Sequence, residues 1–122
     1  MAKRSEARTQ FLNDIVVTAA EGGLSWADYI REYKKVDRGD GMQHYSFVVH
    51  YEDPSEDKQS SQFVDEELIA SGLNKFLKDP KGRQEWKSHF REASKDNDAG
   101  MLDDEDASAI VEYGIWGELV FG

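Results

Sequence analysis

Hydrophobic positions along this chain change period several times. Between residues 5 and 20 the apolar side chains Phe11, Leu12, Ile15, Val16, Ala19 and Ala20 recur at helical spacing, and Gly22-Gly23 supplies a C-terminal stop. Residues 26–36, WADYIREYKKV, and 44–51, HYSFVVHY, are rich in aromatic and β-branched residues and flank an Arg-Gly-Asp-Gly turn at 38–41. That pattern predicts an antiparallel hairpin. In its second strand Tyr45, Phe47, Val49 and Tyr51 alternate with His44, Ser46, Val48 and His50, whereas the first strand has no clear buried face. Because a lone hairpin is marginal in water, this one must lie on helices or gain a third strand. Residues 52–62, EDPSEDKQSSQ, read as an exposed polar loop, with room for a short edge strand at 62–64.

Helical spacing then returns. Asp65 stands at an N-cap position ahead of a face made by Leu68, Ile69, Leu73, Phe76 and Leu77, and Glu66 and Glu67 suit the positive end of that helix. Asp79-Pro80 breaks it. A third helix, about 82–94, carries Trp86, Phe90 and Ala93 on one side. A fourth starts at Asp103 or Asp104, with Ala107, Ile110, Val111, Gly114 and Ile115 along one stripe. Gly114 and Gly117 each cost a helix about 1 kcal/mol relative to alanine, which points to close backbone packing or an early helix end. The tail 118–121 reads as a short extended piece able to add a strand to the hairpin. No repeat or dividing linker is visible. The expected fold is a single α+β domain over 1–122, an antiparallel hairpin or three-stranded sheet packed against about four helices.

Composition narrows the function. Hydrophobic residues make up 39% of the chain, with three Trp, five Tyr and six Phe, enough core material to oppose disorder despite 33% charged residues. With no cysteine, disulfides, thiolate metal sites and cysteine nucleophiles are excluded. No apolar run approaches the roughly 18 residues of a membrane span, and the basic start MAKRSEARTQ leads into an amphipathic helix rather than a signal peptide's apolar block. A cytoplasmic protein with no membrane association is expected. Net charge is −10, from 25 acidic and 15 basic side chains. Such a field repels nucleic acid and favours a basic protein partner.

Catalytic motifs are missing. There is no Gly-x-Ser-x-Gly elbow and no glycine-rich phosphate loop, and the Gly-Asp-Gly at 39–41 is a turn. His50-Tyr51-Glu52 has the His-x-Glu form of zinc deaminases but lacks their Pro-Cys-x-x-Cys partner. His44 and His50 lie about 20 Å apart on an extended strand, too far to share a metal, and read as histidines at a sheet surface. The chain is therefore expected not to be an enzyme and to need no cofactor.

Acidic side chains are the remaining signal. Asp96, Asp98, Asp103, Asp104, Glu105 and Asp106 place six carboxylates within eleven residues, and Glu52, Asp53, Glu56 and Asp57 form a second cluster. Aligning Gly100 with the glycine of an EF-hand loop puts Asn97, Asp103 and Asp106 at ligand positions, but Lys95 and Ala99 stand where two oxygen ligands belong. Capping of the last helix by Asp103 or Asp104 is the simpler role. If the two clusters face one side, they imitate the charge track of a nucleic acid and fit a basic groove on another protein. Solvated, solubilising loops are the plain alternative. Trp116, Leu119, Val120 and Phe121 are candidate anchors, with burial against the sheet expected first.

The segments FLNDIVVTAAEGGLSWA, VDEELIASGLNKF and NDAGMLDDEDASAIVEYGIWGELVFG, in this order, resemble a family of small acidic proteins of actinobacteria and their phages. The likeness touches about half of the chain and is most specific at the C-terminal stretch; higher lysine and lower alanine and arginine set this chain apart. It implies phage or mobile-element association and carries over no catalytic residues. The function expected is that of a non-enzymatic accessory protein, of phage or mobile-element origin, that binds and inhibits or modulates a host protein, an anti-defence role included. A small-molecule- or calcium-binding accessory domain is the alternative, and a homodimer on the hairpin's edge a third outcome.

Overall fold

The chain folds as α1 (Glu6–Gly22), β1 (Tyr29–Val36), β2 (His44–Asp53), β3 (Lys58–Val64), α2 (Glu66–Lys78), α3 (Gln84–Asp96) and α4 (Asp104–Trp116), with one 3-10 turn, Ala99–Met101, before α4. This order comes from a computed structural model that describes residues 4–22 and 24–121. Gly23, half of the expected helix stop, lies outside the described residues. Four helices and an antiparallel sheet of order β1-β2-β3 make the α+β fold expected from the pattern.

Local chemistry sets the helix ends. Asp65 accepts hydrogen bonds from the amides of Glu67 and Leu68, satisfying two of the donors that open α2. Asp79 is extended (φ −70°, ψ 116°) and ends that helix ahead of Pro80. Its carboxylate accepts the Tyr113 hydroxyl at 2.6 Å, tying the break to α4. Burial and that bond push the Tyr113 pKa up to about 12. At α4, Asp103 and Asp106 form a reciprocal capping box. Gly117, at φ 76°, closes the same helix in the left-handed conformation.

The sheet differs from expectation in four places. β1 begins at Tyr29, three residues later than the aromatic run, because Trp26 sits in the preceding turn. The segment 52–62 is no loop: β2 continues to Asp53 and β3 starts at Lys58, leaving residues 54–57 as the connection. Asp53 organises that turn, its Oδ1 accepting the Ser55 amide at 2.9 Å and hydroxyl at 2.7 Å. β3 needs few apolar residues because only Val64 is buried on its inner face, and its backbone pairs with β2 throughout. At the start of β2 the alternation fails, with His44 and Ser46 buried and Tyr45 half-buried. His44 is therefore no surface histidine; Glu66 and Asp40 close over it. Finally, the tail adds no strand. After Gly117 it folds back, and the amides of Val120 and Phe121 donate to the buried Glu112 carboxylate at 3.0 and 2.7 Å.

The core lies between the sheet and the helices. Leu12, Ile15 and Val16 of α1, Phe47, Val49 and Val64 of the sheet, Ile69, Leu73 and Phe76 of α2, and Ile110 and Val111 of α4 fill it. The tightest contact is between α2 and α4. A Cβ placed on Gly72 would sit 2.1 Å from the Ile110 carbonyl oxygen, and one on Gly114 would sit 2.5 Å from Leu68. Both glycines thus serve approach of the two backbones, as the cost of Gly114 to its helix suggested.

Gly72→Ala should therefore destabilise the protein by about 3 kcal/mol, because overpacking against backbone outweighs the roughly 1 kcal/mol gain in helix propensity. Urea midpoints measure this. The exposed α2 variant Asn74→Ala, which gains propensity without a clash, should not lower the midpoint.

A candidate interaction groove lined by aromatics and carboxylates

Between the start of α4, α3 and the folded-back tail lies a groove of about 760 Å³. Trp26, Trp86, Leu119 and Phe121 form its apolar walls, and Glu85, Asp104, Glu105 and Glu112 line it with carboxylates. Arg83 and His89 also reach it. Four carboxylates against one guanidinium leave the groove negative.

The walls are held by polar contacts. The Trp26 indole N–H donates to Ser108 Oγ at 3.0 Å, and its ring lies edge-on to Tyr51 and Trp116 and stacks on Phe121 at 5.5 Å. Trp86 donates to Asp106 Oδ1 at 2.7 Å. The Arg83 guanidinium sits 5.3 Å from the Trp86 ring centroid, a cation–π contact. Glu112 is buried at 4% exposure and secures the tail through the two amides already described. Asp104, Ser108 and Glu112 recur every four residues, forming one stripe of α4.

The acidic residues expected from the sequence divide. Asp104 and Glu105 line the groove; Asp96, Asp98 and Asp103 are exposed but do not. Asp106 does not belong to an exposed acidic surface. It is 7% exposed because it closes the capping box, accepts Trp86 and lies 3.4 Å from His89 Nε2. Asp98 accepts the Gly100 amide at 3.1 Å. The EF-hand-like stretch thus uses these carboxylates as caps, and among the described residues no three acidic or histidine side chains converge on a metal-sized site. In the second cluster Glu52, Glu56 and Asp57 are exposed and Asp53 is half-buried in its turn. Hydrogen bonds from Ser55 hold the Asp53 carboxyl below the usual range.

Tyr51 connects that cluster to the groove. Burial raises its hydroxyl pKa, helped by the charges of Asp53 and Glu56, and its ring packs against Trp26 and Trp116. The β2–β3 turn and the start of α4 therefore flank one aromatic cluster. Of the anticipated anchors, Trp116 packs within the cluster, while Val120 and Phe121 stay exposed at 37% and 42%. Trp26, Trp86, Glu85 and Glu112 were not singled out as site residues; the four-residue spacing of Asp104, Ser108 and Glu112 was the available signal.

A second polar cluster is buried away from the groove. His44, 3% exposed, lies between Asp40, at 2.7 Å from its Nε2, and Glu66, which contacts its Nδ1. Glu66 also receives Arg38 at 3.0 Å and Arg4 at 3.5 Å, and Arg38 lies 3.7 Å from Asp65. Burial works to lower the His44 pKa, but the hydrogen bonds and charges of Asp40 and Glu66 leave it raised. Folding therefore favours the imidazolium. Its contribution is fully present below the unfolded value near 6.5 and is lost as pH rises through the folded value. Stability measured by urea unfolding should fall as pH rises above about 6.5, and His44→Gln should flatten that decline; an equally steep decline in the variant would remove His44 as its source.

Compared with described protein families, curated proteins and solved structures, the chain matches none of them.

Proposed function

We propose that this protein acts by binding, not by catalysis, and that its groove and β2–β3 turn engage a basic surface on a partner protein. The observation that carries this is the meeting of the exposed Glu85, Asp104 and Glu105 with the rings of Trp26, Trp86 and Phe121 in one open groove. Carboxylates attract and orient a cationic partner, and anchored aromatic rings supply the desolvated contact that makes a hot spot. A partner's arginine or lysine fits such a groove twice over, by charge and by cation–π contact. Arg83 on Trp86 is the intramolecular version. The likeness to small acidic phage proteins extends the proposal: the partner is a host protein with a basic nucleic-acid-binding groove, in the host cytoplasm, whose activity is blocked or redirected. One observation favours a second reading, a small-molecule accessory domain. The groove's volume of about 760 Å³ lies within the common range of small-ligand sites.

Affinity capture from host lysate tests both. The wild-type chain should retain a basic protein, released by raising salt, and the double variant Asp104→Lys, Glu105→Lys should bind it at least about tenfold more weakly. Glu6→Lys, at the start of α1, should bind as the wild type does. Retention unchanged in the double variant, or saturation of the groove by a metabolite alone, would overturn the protein-partner proposal.

A further inference from the structure

The two edges of the sheet are built differently. β1 is interrupted by a register shift between Arg31 and Lys34, holds Glu32 in the left-handed region at φ 56°, and carries Arg31, Lys34 and Lys35. Kinks and cations of this kind discourage another strand from pairing. β3 has neither. Its register with β2 is unbroken from Val64 opposite Phe47 to Lys58 opposite Asp53, and Lys58, at its first position, is its single charge. Among the described residues no strand pairs with its outer side. Phe63, on the open face of the sheet, is 51% exposed. The Phe63 carbonyl accepts the exposed Gln62 side-chain amide at 3.1 Å, a contact an added strand can displace. A straight strand edge with no strand partner, beside an exposed phenylalanine, has the two parts that strand addition uses: the edge gives affinity and the ring selects a side chain.

We propose that the outer edge of β3 is a strand-addition site for an extended segment of a partner protein. That segment places an apolar side chain against Phe63 and carries cations near its ends. Charge selects this occupant. Asp53, Glu56 and Asp57 precede the strand against Lys58, and Asp40, Asp65, Glu66 and Glu67 gather at its far end against Arg4, Arg38 and the His44 imidazolium, so both ends stay negative, the first more strongly. A second copy fits badly. Two-fold antiparallel pairing centred on Ser61 sets Asp57 of each copy level with Asp65 of the other, and parallel pairing sets each acidic end on itself. The site stands on the backbone edge and is independent of the groove.

The test is a titration of the full chain, followed by amide NMR, with a capped seven-residue peptide of alternating valine and threonine and a lysine at each end. At about 1 mM peptide, the weak end of specific binding, shifts should concentrate on residues 58–64. They should weaken at least about tenfold in Phe63→Lys, an outward-facing change whose spectrum shows whether the fold is intact, and with a peptide N-methylated at alternate residues. Shifts elsewhere, no shift, or shifts indifferent to both changes would overturn the site. A concentration-dependent dimer protecting the β3 amides without peptide would overturn the choice of a foreign strand.

Discussion

The backbone contact between α2 and α4 sets the rest of the structure. Gly72 lies directly against the α4 backbone and Gly114 receives the Leu68 side chain, which fixes how α4 is turned about its axis. Helical geometry then places Asp104, Ser108 and Glu112 on the side of α4 roughly opposite that contact. The groove is a consequence of this rotation. A side chain at Gly72 would push α4 outward and shift the carboxylate stripe relative to Trp26, so core packing and the shape of the groove depend on one crossing.

Several acids in this chain hold structure together, and net charge overstates what is free to bind. Asp106 serves the capping box and Trp86, Glu112 holds two tail amides, and Glu66 faces His44, Arg38 and Arg4. A carboxylate inside a protein needs donors, and Asp106 and Glu66 have them on both oxygens while Glu112 has two on Oε1. Asp104 and Glu105, in the first turn of α4, are different. They are exposed, favoured by the helix dipole, and able to meet a cation without breaking an internal bond.

How much could be read from the sequence follows from range. Asp65, Asp103, Gly114 and Gly117 were legible because capping and close packing leave marks within a few residues. The inner face of β2 was legible at Phe47, Val49 and Tyr51, where alternation holds, and failed at His44, whose cover comes from α2 and the β1–β2 loop. β3 was largely hidden because its side chains are polar and its order comes from backbone pairing. The groove was hidden for another reason. Trp26, Trp86, Glu112 and Phe121 come from four separated segments, and no local pattern joins them.

The groove and the β3 edge are near neighbours through the sheet. Ser60 of β3 pairs with Tyr51 of β2, whose ring packs on Trp26, which in turn stacks on Phe121 at the groove wall. One strand and one ring separate the two surfaces. A partner that laid a strand on β3 would bring its flanking cations toward the β2–β3 turn, and a second basic element could then reach Asp104 and Glu105 as an intramolecular event. Weak contacts at two such places combine into tight binding when the spacer between them fits. Salt separates them, since screening weakens the carboxylate contact while hydrogen bonds along the strand persist.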